Sequence, residues 1–169
     1  MTPRIEPLPY EEWDPDTFSM MGRKPRPNNV LGLFARHPAL AKPFLTYNMH
    51  LLGSSTLPPR TRELAILRMA HRRNCAYEWV QHERIAKKAG VTEEEIAEVR
   101  AGAPTLINTA VDELDIDSCL SEETYQRLAK DLDVQQLMDL VFTIGTYGLL
   151  AMAFNSFAVQ LEDSDAPLH

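Results

Sequence analysis

A long apolar run near the C-terminus constrains the fold more than any other stretch of this sequence. Residues 140–159 approach the length that spans a bilayer, and they are apolar on nearly every side of a helix. The run also contains two glycines, Asn155 and Ser156, and it has Asp139 before it and Glu162 after it rather than basic flanks. We therefore predict a buried core helix, placed at a subunit interface, and not a membrane span.

The rest of the chain carries helix signals and no strand signals. No stretch alternates between apolar and polar residues with period two, and no two apolar runs are joined by a hairpin turn. Residues 1–29 hold six of the twelve prolines and predict an extended N-terminal arm. We predict an all-α helical domain over residues 30–161 with about eight helices, followed by a polar tail at 162–169.

Capping residues place several of the helix starts. Asn28 or Asn29 caps the first helix, Ser121 caps a later one, and Thr92 with Glu95 forms a capping box. The predicted helices run from about 30 to 36, 38 to 52, 58 to 73, 75 to 89, 93 to 100, 105 to 115, 122 to 130 and 134 to 161. Asp133 with Gln136 starts the last of them.

Composition excludes several classes of function. A chain of 169 residues with 44% hydrophobic and 24% charged residues is about one globular domain. Its net charge of −7 argues against nucleic-acid binding, which needs a basic surface. Two cysteines do not predict a disulfide scaffold, and the first residues contain no apolar signal segment. We expect a cytoplasmic protein with no nucleic-acid or membrane partner.

The stretch from Cys75 to His82 concentrates the reactive side chains. On a helix, Cys75, Glu78, Trp79 and His82 are spaced i, i+3, i+4 and i+7 and share one face. The same stripe continues through three residues that we predict to be core, namely Ile85, Ala86 and Ala89. Ionisable groups on a buried face are costly unless they are paired, so this quartet is a candidate site. The alternative is that Cys75 and Trp79 only pack, while Glu78 and His82 satisfy each other.

A third acidic group comes from the preceding predicted helix. Glu63 lies at i−4 from Leu67 and therefore points along the apolar side of that helix, unless it serves the helix dipole instead. The ligand types of His71, Cys75, Glu78 and His82 match no zinc spacing, so we expect no metal and no cofactor.

These residues together resemble a known family. Glu63, eleven intervening residues, Cys75, two residues, Glu78, three residues and His82 form a pattern similar to that of the carboxymuconolactone decarboxylase / AhpD-like family. The matched core runs from about Leu57 to Ile96. The resemblance implies an all-α, AhpD-like helical bundle that forms homo-oligomers as dimers, trimers or hexamers.

The resemblance also assigns roles, with one departure. In peroxidase members of the family, glutamate and histidine at the positions of Glu63 and His82 form a proton relay for a Cys-x-x-Cys pair. Here Cys75 occupies the first cysteine position and Glu78 the second. A vicinal dithiol closes to a disulfide during peroxide reduction, and Glu78 cannot do this. Cys119 could replace the second thiol only if the fold brought it beside Cys75.

Three functions follow from this reading. The first is an enzyme that uses Glu63, Glu78 and His82 as acid–base groups on a small organic substrate, with or without a carboxylate. One of the two carboxylates would be held protonated, and Cys75 would be a buried structural cysteine. The second is a thiol-dependent hydroperoxidase that uses Cys75. The third is a non-catalytic oligomeric binding protein.

The remaining candidates are pocket residues. Trp79, Tyr147 and Asn155 are predicted to line the substrate pocket, although packing and hydrogen bonds between helices are equally good roles for them. The helix at 58–73 also carries five guanidinium groups, at Arg60, Arg62, Arg68, Arg72 and Arg73. They could attract a carboxylate, but we favour solvated or ion-paired arginines.

Overall fold

The computed structural model describes residues 2–22 and 25–162. Throughout this part of the chain the regular secondary structure is helical, which confirms the all-α prediction. The eight α-helices are α1 (Asn29–Ala35), α2 (Pro38–Met49), α3 (Pro59–Arg72), α4 (Ala76–Lys88), α5 (Glu93–Ala101), α6 (Leu106–Asp117), α7 (Glu122–Leu128) and α8 (Val134–Phe157). The predicted tail falls mostly at 163–169, outside the described residues.

The chain divides into two compact units. The first comprises Met1–Ser54 with Ala153–His169. Its arm carries two 3₁₀ segments, Tyr10–Glu12 and Pro15–Met21, ahead of α1 and α2. Phe18 of the arm is buried with Leu31 of α1 and Leu45 of α2 in one apolar cluster, so the arm is part of this unit's core.

The second unit, Ser55–Met152, is built around α3. This helix packs against α4, α5 and α6 and is buried on most sides, because Ala65, Ile66 and Leu67 are all 0% exposed. Leu67 lies in an apolar cluster with Ala86 of α4 and Ile96 of α5. The polar side chains on the inward sides of this helix, Arg62, Glu63 and Arg68, are therefore held in a dry environment.

Ion pairs fix α3 against α6. Arg68 is 7% exposed and donates two hydrogen bonds to Asp112, at 2.8 and 2.7 Å, and a third to the carbonyl oxygen of Val99 at 2.8 Å. Gly102 ends α5 with a positive φ of 68°, and a Cβ there would lie 3.1 Å from the Arg68 guanidinium. Arg72 and Arg73 pair with Asp115, and Arg60 and Arg62 also have acidic partners. The arginines of α3 are therefore ion-paired within the chain.

The long apolar helix α8 begins as predicted and ends earlier than predicted. Asp133 and Gln136 exchange hydrogen bonds of 3.0 and 2.9 Å between side chain and backbone, which forms the predicted cap. The helix ends at Phe157 rather than near Leu161, because Ala158 adopts a positive φ of 54°. By length and hydropathy α8 could cross a membrane, but 56% of its most apolar window is buried, which fits the core helix of a soluble protein.

Candidate active site

A tight turn between α3 and α4 places the candidate residues. Asn74 has a φ of 49°, a left-handed conformation that asparagine tolerates, and the amide of Cys75 then donates to the carbonyl oxygen of Ala70 at 2.9 Å. Cys75 is the extended N-cap residue of α4, not a helical residue. The prediction that Cys75 lies on the helix is therefore wrong by one residue, because the turn at Asn74 delays the helix start. Its side chain is nevertheless 2% exposed.

The carboxylate of Glu63 meets the imidazole of His82 in the interior. Glu63 Oε2 lies 2.7 Å from His82 Nδ1, and the two residues are 0% and 7% exposed. The other oxygen of Glu63 accepts a hydrogen bond of 3.0 Å from Nε of Arg62, which is itself buried. The expectation that Glu63 points inward, towards the quartet, is thus met. The alternative that Glu78 and His82 satisfy each other is wrong, because Glu63 takes the imidazole.

This contact defines the tautomer of His82. With the Arg62 cation beside it, Glu63 is a hydrogen-bond acceptor, so Nδ1 carries the proton that it donates to Glu63. Nε2 is then the ring nitrogen that can accept a proton. The ring of Tyr147 stands edge-on to the imidazole, with 4.8 Å between centroids and 86° between planes, and this packing fixes the ring orientation.

Glu78 is buried in a different way. It is 2% exposed, and among the described residues neither of its carboxyl oxygens has a hydrogen-bond partner of regular geometry. Burial disfavours the charged form and raises the pKa of Glu78 to about 8, with the nearby Cys75 thiol lowering it slightly. At neutral pH this carboxyl therefore carries a proton. The expectation that one carboxyl of the site is held protonated agrees with the position of Glu78.

Cys75 is a thiol rather than a thiolate. Burial, followed by the negative charge of Glu78, raises its pKa to about 12. Cys75 and Cys119 are both free cysteines, Cys75 buried and Cys119 exposed, so the structure contains no disulfide that links them.

Comparison with known proteins finds a family match over part of the chain. Residues 38–109 match the model of the carboxymuconolactone decarboxylase family. The chain is similar to that family over this segment. The matched segment includes Glu63, Cys75, Glu78 and His82, and the resemblance drawn from their spacing is confirmed. A comparison with curated proteins finds no match.

Solved structures share the fold across nearly the whole chain. An uncharacterized peroxidase-related protein from Ralstonia eutropha JMP134 with an alkylhydroperoxidase AhpD core has a TM-score of 0.77 at 15% identity, over 96% of this chain and 94% of its own. A peroxidase-related protein from Silicibacter sp. TM1040 has a TM-score of 0.71 at 17% identity, over 96% and 90%. A cysteine-to-alanine variant of the debrominase Bmp8, in complex with 2,3,4-tribromopyrrole, has a TM-score of 0.70 at 16% identity, over 98% and 95%. At these identities the likeness establishes an AhpD-like helical fold.

Trp79 is held in place by contacts with side chains of α4 and α5. Its indole Nε1 donates to Glu83 at 2.7 Å, and the guanidinium carbon of Arg100 lies 4.5 Å from the centre of its ring. Trp79 and Cys75 both line a surface cavity of about 390 Å³. Trp79 is thus part of a cavity wall.

The prediction that Ile85 is a core residue is wrong. Its side chain is 39% exposed, because the buried face of α4 passes through Ala86 instead.

The two candidates from α8 lie in different environments. Tyr147 is 2% exposed, and burial together with the charges of Glu63 and Glu78 raises the pKa of its phenol well above the usual value. Asn155 belongs to the first unit and is exposed, so its role as a pocket residue stays a prediction.

Sequence reasoning missed two polar residues of this region. Arg62 was treated as one of five similar arginines, although it is the one that pairs with Glu63. Thr143 of α8 is 0% exposed, and its hydroxyl has no hydrogen-bond partner among the described residues. The adjacency of Arg62 to Glu63 was the available signal for the first, whereas an isolated threonine in an apolar run gave none for the second.

Proposed function

We propose that the chain is an enzyme that transfers protons on a small organic substrate, with Glu78 as the acid and His82 as the base. The observation that carries the proposal is the contrast in protonation within one buried site. Glu78 keeps a proton at neutral pH, whereas His82 has its Nδ1 held by Glu63 and its Nε2 available. An acid and a base close together at the same pH are what proton transfer to and from carbon requires.

Glu63 and Arg62 are positioning residues in this scheme. Glu63 accepts the Nδ1 proton of His82 and stabilises the imidazolium that forms when Nε2 takes a proton from the substrate. Arg62 in turn holds the second oxygen of Glu63. Neither residue needs to touch the substrate for the base to work.

The reaction class that suits this pair is chemistry next to a carbonyl. In an isomerisation, His82 removes the α-proton, and the electron pair is held as an enolate until Glu78 returns a proton to another carbon. In a decarboxylation, the C–C bond to the carboxylate breaks, CO₂ leaves with its two oxygens, and the resulting enolate takes the proton of Glu78. After an isomerisation, the His82 imidazolium releases its proton to water while Glu78 regains one, and after a decarboxylation Glu78 regains a proton from water. Each cycle is therefore balanced without an oxidant.

The hydroperoxidase alternative is less well supported. Two structural neighbours are described as peroxidase-related, and a third is a debrominase. In this chain, however, the pKa of Cys75 is raised to about 12, so the thiolate needed to attack a peroxide is scarce at neutral pH. The carboxyl of Glu78 also stands at the position of the second cysteine in the Cys-x-x-Cys pair of the peroxidase members.

The test is turnover of a panel of carboxylated lactones and β-keto acids, followed by NMR in D₂O for CO₂ loss and deuterium incorporation. We expect His82→Ala and Glu78→Gln to lower kcat by roughly 10²-fold or more, and Cys75→Ser to leave it within a few-fold. Glu123→Gln, an exposed glutamate of α7, is the matched control. Peroxide consumption with a thiol reductant that is lost in Cys75→Ser would support the hydroperoxidase instead. Insensitivity to every substitution would support the binding protein.

We also propose that the chain forms a homo-oligomer through α8. Apolar side chains at the exposed face recur at helical spacing, with Met138, Leu149 and Met152 each more than half exposed. Gly145 lies in the same stripe, and a Cβ built there meets no atom within 4 Å, so another helix could approach closely. Sedimentation should show a dimer, trimer or hexamer that dissociates in Leu149→Glu.

We also propose a cytoplasmic location, which is supported by two cysteines that are both free.

A further inference from the structure

The cavity beside Trp79 has the lining of a ligand site. Its volume of about 390 Å³ falls within the range of small-molecule pockets. Ala70 of α3 and Ala76 and Val80 of α4 give it an apolar wall, and Cys75 also lines it. Asn74, whose left-handed turn lies between α3 and α4, is another lining residue.

Polar groups converge on one wall of this cavity. Arg100 of α5 lines it, and the guanidinium stacks on the Trp79 ring and makes one hydrogen bond of 3.1 Å to Glu83. The imidazole of His71 packs against the same indole, with 5.8 Å between ring centres. Glu83 also accepts the indole N–H, so Trp79 is fixed from three directions. A side chain restrained in this way is a preorganised wall, because little rotamer freedom is lost when a ligand binds.

The charge at the wall determines which ligand fits. The side chain of Arg100 is 53% exposed, and its hydrogen bond to Glu83 uses only one of the five N–H donors of the guanidinium. A guanidinium binds a carboxylate through two parallel hydrogen bonds. The apolar walls favour an unsaturated or aromatic body over a sugar or a phosphate ester.

We propose that this cavity binds a small planar carboxylate, with the carboxylate on Arg100 and the apolar body between Trp79 and Cys75. The inference deepens the proposed function and rests on it for the identity of the reaction. Cys75 lines the cavity, and its thiol interacts with the carboxyl group of Glu78. The end of the ligand furthest from Arg100 would thus lie one side chain away from the proposed acid. Arg100 is then a substrate-binding residue, and Glu83 is a positioning residue that orients both Trp79 and Arg100.

The test uses the two tryptophan indole N–H signals of the labelled protein, with Trp79 assigned through Trp79→Phe. Benzoate and its uncharged analogue benzyl alcohol serve as probes. We expect benzoate to shift the Trp79 signal saturably and to bind at least roughly 10-fold more tightly than benzyl alcohol, since a charge-assisted pair is worth more than about 1.4 kcal/mol. Trp13, which lies in the first unit, should not shift.

Variants isolate the role of the guanidinium. Arg100→Gln should reduce benzoate affinity to that of benzyl alcohol, Arg100→Lys should retain part of it, and Arg127→Gln on α7 should change nothing. Equal binding of the two probes, or an unchanged affinity in Arg100→Gln, would overturn the proposal. Measuring turnover in Glu78→Gln and His82→Ala distinguishes a failure of this proposal from a failure of the proposed function.

If benzoate binds as expected but both variants keep native turnover, only the acid–base chemistry fails. If turnover is lost in the variants but benzoate does not bind at Trp79, only the assignment of the cavity fails.

Discussion

The surroundings of Glu63 and those of Glu78 differ although both carboxyl groups are buried. Glu63, on α3, is 0% exposed, and each of its oxygens has a partner, one on Arg62 and one on His82. Glu78, on α4, is 2% exposed, and neither oxygen has a regular hydrogen bond within the described residues. The same side chain is therefore held as a paired acceptor at one position and as a neutral acid at the other.

The difference explains how two buried carboxyl groups on neighbouring helices can hold different protonation states at the same pH. A buried carboxylate is tolerated when a cation and hydrogen-bond donors surround it, and it otherwise takes up a proton. An unpartnered buried polar group costs on the order of 1–3 kcal/mol, and a fold retains that cost more readily where a ligand or a reaction uses the group. In the proposed mechanism, Glu63 would orient the base and Glu78 would supply the acid.

The largest effect is expected from removing the paired carboxylate. Glu63→Ala leaves the buried Arg62 cation without its partner and His82 without its acceptor. We expect the free energy of unfolding in urea at pH 7 to fall by about 3–5 kcal/mol, as for other broken buried ion pairs. The control is Glu123→Ala, whose side chain is 83% exposed and 3.8 Å from Arg127, and it should leave the unfolding midpoint unchanged. A comparable loss of stability in both variants would mean that the buried pairing of Glu63 contributes no more than an exposed ion pair.

Removing the unpaired carboxyl of Glu78 should raise the free energy of unfolding rather than lower it. The pKa of Glu78 is about 8 in the folded protein and near the ordinary 4.5 in the unfolded chain, so folding favours the protonated form. Its contribution to stability is complete below pH 4.5 and is lost as the pH rises towards and through 8. Glu78→Gln has no such proton, so we expect it to match the native protein at pH 4.5 and to exceed it by roughly 2–4 kcal/mol at pH 8. A difference that does not change with pH would contradict this assignment.

The last prediction concerns the reactivity of Cys75, whose thiol interacts with Glu78. Because burial raises its pKa to about 12, Cys75 is present as the neutral thiol at pH 7. In Cys119→Ser, the remaining Cys75 should react with a disulfide reagent at least roughly 10³-fold more slowly than glutathione at pH 8, and at an ordinary rate after unfolding. In Cys75→Ser, the exposed Cys119 should react quickly. Fast labelling of folded Cys75 would favour the thiol chemistry.

Local signals in the sequence were sufficient for most of the fold. The capping box of Thr92 with Glu95 and the cap of Ser121 on Thr124 start α5 and α7 where predicted, because each requires contacts only within one turn. The ends were harder to predict. A helix end such as Phe157 depends on a backbone reversal at Ala158, a residue type that gives no stop signal.

The burial of the candidate residues was predictable, and their pairing was not. Helical spacing indicated that Glu78 and His82 are buried on one face, as they are. Spacing within α4 could not reveal that Glu63 would take the imidazole, since that contact depends on how α3 packs on α4. For the same reason the sequence did not indicate which carboxyl would keep a proton. The cavity wall at Arg100 was also missed, because it comes from α5.

The central claim, that Glu78 is a neutral acid at pH 7, can be measured directly. Carbon-13-labelled glutamate side chains can be titrated by NMR in the native protein and in Glu78→Gln, so that the missing carboxyl signal identifies Glu78. We predict that one carboxyl carbon of the native protein titrates with a midpoint near pH 8 and that this signal is absent from Glu78→Gln. A Glu78 signal that titrates at or below the ordinary value of 4.5 would contradict it.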